Sequence, residues 1–209
     1  MPKLGSMRAL MVISVAAMLC PIAATAGIHT WDVREVFSNA DGTVQFVELW
    51  EAAGTPGETG VGNGTVSSST KSHPIANGAV APPTTNKSYL LGTAAFASLP
   101  GAPVPDEIIP AGFVPFFFNT AGDTVSFVGF YSWTFGAVPT NGTDSLDRIT
   151  GIGGNTPKNY AGIEGSVDAS GGGGDPEVPM LPGPMIAFVT LLVMGVGVGY
   201  LMTRRPTSR

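Results

Sequence analysis

At 209 residues the chain has room for one ordinary domain plus targeting segments. Its 44 % hydrophobic content can fill a core, and 29 Gly with 18 Pro stay below the density of aperiodic low-complexity chains. Only 12 % of residues are charged, and between residues 27 and 184 fifteen acids face five bases, a net charge of −10. Such a domain should repel nucleic acid and anionic membrane faces, so no nucleic-acid partner is expected.

Lys3 and Arg8 precede an apolar run from Ala9 to Cys20, and Ala24-Thr25-Ala26 places small residues at Ala24 and Ala26 for cleavage. This pattern is a secretory signal peptide over residues 1–26, which makes signal peptidase and the Sec machinery the first partners. The single cysteine, Cys20, follows Leu19 where a lipidation signal wants a small residue, and it leaves with the signal. The exported domain, residues 27–169, then contains no thiol and must be held by packing alone.

From His29 onward the signals are those of β structure. Val33 to Phe37 reads as a strand, Asn39-Ala40-Asp41-Gly42 as a turn, and Thr43 to Glu51 as a second strand completing a hairpin. Val44 and Phe46 point to one side of that strand while Gln45, Val47 and Leu49 point to the other, so both faces should be buried. Glu48 is then an inward carboxylate, expected to bond loop backbone or pair with Arg34. Residues 51–86 read as a long Gly, Ser, Thr and Pro-rich loop with one short strand near Gly64 to Ser69. Tyr89 to Thr93 is a further strand, Ala94 to Leu99 a turn of helix, and Ala102 to Pro115 an extended connection. Asp123 to Phe135 reads as the strongest strand, its aromatic and β-branched stripe expected in the core, with a carbohydrate-stacking platform as the alternative, and Gly129 marking a bulge or bend. Gly151-Ile152-Gly153-Gly154 reads as plain loop.

Two stretches, Trp31 to Glu51 and Leu90 to Phe113, together with Gly122-Asp123-Thr124-Val125-Ser126-Phe127, resemble lamin-tail-like domains. The resemblance implies an all-β, immunoglobulin-like sandwich over Trp31 to Ile149, used for binding or adhesion and carrying no shared catalytic residues.

Chemistry has few candidates. His29 and His73 lack a neighbouring second ligand at zinc spacing, and no Gly-x-Ser-x-Gly elbow occurs. Catalytic and cofactor-binding residues are therefore expected to be none. Asp144, Asp147, Asp106 and Glu107 offer the hard oxygens that calcium takes, without the twelve-residue ligand pattern. The alternative of a secreted hydrolase would use residues 51–86 as an active-site lid.

At the C-terminal end, residues 170–184 form a Gly-rich tether and a Pro-rich lead, residues 185–202 are eighteen uncharged residues, and Arg204, Arg205 and Arg209 follow. Eighteen helical residues cover about 27 Å, enough for the hydrocarbon core of a bilayer, and the arginines set residues 203–209 inside with the domain outside. Gly195 and Gly199 would allow close packing of two such helices. The order of Pro176, Glu177, Val178, Pro179 and Pro182, then the span, then Arg204 and Arg205 resembles the bacterial PEP-CTERM sorting signals and their IPTL-CTERM and VPLPA-type relatives. That resemblance implies an exosortase-like or rhomboid-like membrane peptidase as processing partner, and a mature protein at the cell surface or in the extracellular matrix. A permanently anchored type I membrane protein is the alternative.

Overall fold

A computed structural model describes residues 27–129 and 131–171. The expected signal peptide with Ala24 and Ala26 lies outside the described residues. So do the sorting motif from Pro176 to Pro182, the span and Arg204 and Arg205. Among the described residues no helix is long and apolar enough to cross a membrane.

The described chain is all-β, with ten strands in two sheets. Strand β1 (Trp31–Ser38) and β2 (Gln45–Glu51) form the expected hairpin. Asp41 Oδ1 accepts from the amide and hydroxyl of Thr43, and Gly42 turns the chain at φ +68°, a conformation that favours glycine. The next elements are β3 (Thr65–Ser67), β4 (Ser72–Pro74), β5 (Ser88–Thr93), one helical turn α1 (Ala94–Ala97) and β6 (Glu107–Ile109). The chain closes with β7 (Asp123–Phe127), β8 (Tyr131–Phe135), β9 (Asp144–Asp147) and β10 (Gly151–Gly154). One sheet runs β10-β9-β1-β2-β5-β6 and the other β4-β3-β7-β8. The chain crosses between sheets after β2, β4, β6 and β8, and only β5 with β6 pair in parallel.

The sheets meet through one apolar cluster. Trp31, Val33, Val36, Val47, Leu49 and Leu91 from the six-stranded sheet pack with Val66, Val125 and Phe127 from the four-stranded one. A bulge between Val33 and Glu35 inserts Arg34 and changes which residues of β1 face inward, so Trp31, Val33 and Val36 share the core while Glu35 and Phe37 face away. Both faces of β2 are buried, as its alternation implies. Val44 and Phe46 belong to a second cluster on the outer face, where Phe37 stacks on Phe46 at 5.3 Å and Phe96 of α1 covers it at 5.2 Å. Thr93 caps α1 by accepting from the Phe96 amide.

Four sequence readings need correction. Asp123 to Phe135 is two strands, not one: Val128 and Gly129 adopt φ +44° and +72°, and the chain reverses so that Phe127 pairs with Tyr131. A glycine inside an alternating run marks a bend without saying how far the chain turns. Gly151 to Gly154 is the edge strand β10, recruited by hairpin pairing to β9 rather than by any side-chain pattern. β6 lies within the connection read as extended, and its pairing to β5 is long-range. Residues 51–86 hold the expected short strand as β3 but are more ordered than a loop around it. A 3-10 turn at Thr59–Asn63 and the β3–β4 hairpin tie them in, with Val61, Val66 and Ile75 buried.

Lys71 fastens that hairpin to the rest of the sandwich. Its Nζ donates to the carbonyl oxygens of Phe113, Pro115 and Phe116 at 2.7, 2.9 and 2.6 Å. Charge-assisted bonds of this kind contribute roughly 1.5–3 kcal/mol, so Lys71→Met should lower stability by about 2 kcal/mol. The measurement is the urea midpoint at constant slope.

Candidate functional site

Beyond Phe46, the outer face of the six-stranded sheet turns from apolar to polar. Glu35 of β1 and Glu48 of β2 are direct cross-strand partners, so their side chains share this face. They are 2 % and 5 % exposed, and they line a cavity of about 190 Å³ together with Arg34, Trp50, Asp147 and Lys158.

The carboxylates are held by a strap of chain crossing over the strands. The Thr156 amide donates to Glu35 Oε1 at 2.9 Å and its hydroxyl to Oε2 at 3.1 Å. Two residues on, the Lys158 amide donates to Glu48 Oε2 at 2.9 Å, while the Ser88 hydroxyl donates to Oε1 at 2.8 Å. Two further on, the Tyr160 amide donates to Asp106 Oδ2 at 2.8 Å, an oxygen that also accepts from the Leu90 amide. Alternate amides of an extended segment point the same way, so three carboxylates can clamp residues 156, 158 and 160 in turn. Asn155 continues the attachment by exchanging bonds with the backbone of Val167 at 2.8 Å in both directions, and Ala169 donates to the Gly142 carbonyl.

The site's two cations bond other carboxylates. Arg34 Nε bonds Asp147 Oδ2 at 2.5 Å, the guanidinium carbon lies 5.2 Å from the centre of the Trp50 ring, and Lys158 Nζ lies 3.4 Å from Glu164. Burial pushes the Glu48 carboxyl up to about 8. The Ser88 hydroxyl, the Lys158 amide and the charge of Arg34 oppose that rise, and the neighbouring Glu35 adds to it. Burial also raises Glu35, against the hydrogen bonds from Ser145 and Thr156, and raises Asp106 against the two amides it accepts. Of the two partners expected for Glu48, the structure supplies loop backbone, and Arg34 pairs with Asp147 instead.

The calcium candidates are dispersed. Asp106 holds amides, Glu107 contacts His73 Nε2 at 2.8 Å, Asp144 accepts from the Asn141 side-chain amide, and Asp147 is committed to Arg34. Among the described residues no group of three or more His, Cys, Asp or Glu side chains is placed to hold a metal ion. Of the two histidines, His73 is buried against Glu107 and Phe113, and His29 lies beside Glu58 through its own amide. Glu35 as the cross-strand neighbour of Glu48, and Asp106 as a further clamp on the strap, escaped the sequence reading. The bulge at Arg34 hides the face of Glu35, and Asp106 sits in a proline-rich connection without periodicity.

No family model matches the chain, and comparison with curated proteins and with solved structures gives no match.

Proposed function

We propose that the chain is the precursor of an exported protein of the cell surface or extracellular matrix. Its sandwich, residues 27–169, serves as a non-enzymatic binding and structural module of the immunoglobulin-like, lamin-tail-like kind. The signal ending at Ala24 and Ala26 directs export through the Sec machinery and signal peptidase. The tail from Pro176 through Arg205 passes the precursor to an exosortase-like or rhomboid-like peptidase in the membrane.

The observation that carries the non-enzymatic reading is the use made of the two buried glutamates. Each oxygen of Glu35 and Glu48 accepts a hydrogen bond from this chain's own Thr156, Lys158 or Ser88, so the pair holds backbone where an acid–base pair would face a substrate. The lamin-tail reading is supported by two packed sheets, an opening antiparallel hairpin and repeated crossings between sheets. The sorting reading draws on the sequence order of prolines, apolar run and arginines.

Intact mass of the protein recovered from envelope and medium tests the sorting. The expected mature chain starts near Gly27 and ends between Pro176 and Pro184. A chain still ending at Arg209 would favour the permanent anchor. The second arm is a screen of polysaccharide and ester substrates, where turnover abolished by Glu48→Gln would replace the binding reading with the hydrolase.

A further inference from the structure

The outer face of the four-stranded sheet is mostly hydroxyl-bearing, with Pro74 opposite Thr65 at one corner. Ser72 pairs with Ser67, Ser67 with Ser126, and Ser126 with Ser132, so a single row crossing β4, β3, β7 and β8 is serine on every strand. The pleat confirms the direction. Val66, His73, Val125 and Phe127 alternate with these positions and are buried, while the serines are half-buried or exposed. A second rank on the same face pairs Thr124 with Thr134, and Thr65 flanks the row. Neighbouring hydroxyls touch: Ser67 and Ser72 at 2.9 Å, Thr124 and Thr134 at 2.7 Å.

Charge singles out this face. The domain carries a net charge of −10 between residues 27 and 184, yet the only aspartate, glutamate, lysine, arginine or histidine on these four strands are Asp123 and His73, both buried. An ordinary solvated sheet face mixes Lys, Glu and Arg among its polar residues. The outer face of the opposite sheet does so, with Arg34, Asp147, Lys158 and Glu164 around its cavity. Lys71, in the β3–β4 turn, spends its ammonium on three backbone carbonyls.

We infer that this face is a binding site for a neutral polysaccharide chain, lying across the strands along the serine row. Strands stand about 4.8 Å apart, so the row offers four hydroxyls over roughly 14 Å. Each hydroxyl is one donor and two acceptors, and a bond to a neighbour leaves capacity directed outward. A ligand that matches has hydroxyls at regular intervals, flatness and no charge. Anionic polymers meet no cation here and an acidic protein around it. A protein partner would need an apolar or arginine anchor in a pocket, which a flat hydroxyl array lacks. This inference rests on the reading of the sandwich as a binding module and supplies the ligand class.

The test uses the detergent-solubilised full-length protein on insoluble cellulose and chitin, in gels containing a soluble neutral β-glucan, and in gels containing anionic alginate. The expected result is retention by at least one neutral polymer, none by alginate, and at least tenfold weaker retention of a Ser126→Ala, Ser132→Ala double variant. A second double variant, Ser67→Ala with Ser72→Ala, should weaken retention from the other end of the row, and Glu48→Gln should leave it unchanged. Absence of retention on every neutral polymer, equal retention by alginate, or retention indifferent to the serines overturns the site. Because the assay is independent of location, its failure with a correctly processed surface protein removes the site and leaves the sorting reading standing.

Discussion

Glu48→Gln should make the protein more stable at pH 8 than the parent, by on the order of 4 kcal/mol, and leave the two equal below pH 4.5. The buried carboxyl titrates at about 8 in the fold and near 4.5 in the unfolded chain. Below pH 4.5 both states hold the proton and folding incurs no ionisation cost. As pH rises from 4.5 to 8 the unfolded chain gains by ionising while the fold holds its proton, so stability falls across that window and levels above it. Glutamine keeps the bonds: its carbonyl can accept from the Lys158 amide and its NH₂ can donate to the Ser88 hydroxyl. Urea unfolding of parent and variant at pH 4.5, 6 and 8 gives the slope directly. Glu35 and Asp106 are shifted in the same direction, so the variant should retain a shallower decline. On the acid side the sign reverses. Burial pushes Asp147 up, but its bonds to Arg34 and to the Thr150 and Ile149 amides win and hold it below its ordinary 3.8, so its contribution is lost as pH falls below that value. The stability maximum should therefore lie near pH 4 to 5. A variant weaker than the parent by a margin that grows from pH 4.5 to 8 would mean that the strap requires the ionised carboxylate.

The parts of this arrangement that the sequence exposes are the local ones. Alternation in Thr43 to Glu51 gave both faces of β2 correctly, because period-two patterning reports the pleat directly, and Asp41-Gly42 marked the hairpin by its backbone chemistry. The same alternation made Glu48 a carboxylate in need of a partner. What it could not supply was the partner's identity, since Lys158 lies 110 residues away and contributes a backbone amide, which every residue but proline has. β6 and β10 were hidden for a related reason. One is three residues in a proline-rich connection and the other is mostly glycine, so each is a strand because of the neighbour it pairs with. The serine row fell between the two cases: the outward serines are visible strand by strand, while their alignment across four strands depends on registers that no single segment encodes.

Gln45→Met should cost about 4 kcal/mol, although methionine fills nearly the same volume. Gln45 is fully buried on the inner face of β2, where its alternation partners are Val47 and Leu49. Its Nε2 donates to the Ser38 hydroxyl at 3.0 Å and to the Phe118 carbonyl at 3.2 Å, and its Oε1 accepts from the Phe117 amide at 2.6 Å. One side chain thus satisfies the backbone of the segment that enters the four-stranded sheet, immediately before the turn leading to β7. Phe117 and Phe118 are themselves buried, and the segment can place both rings in the core only because its peptide groups find partners there. Methionine would leave one amide and one carbonyl buried without a bond, at roughly 1–3 kcal/mol each, besides the lost bond to Ser38. Urea unfolding should show a lower midpoint with unchanged slope. A change within 1 kcal/mol would mean that water reaches these groups and that the Gln45 bonds add little to the joining of this segment to the six-stranded sheet.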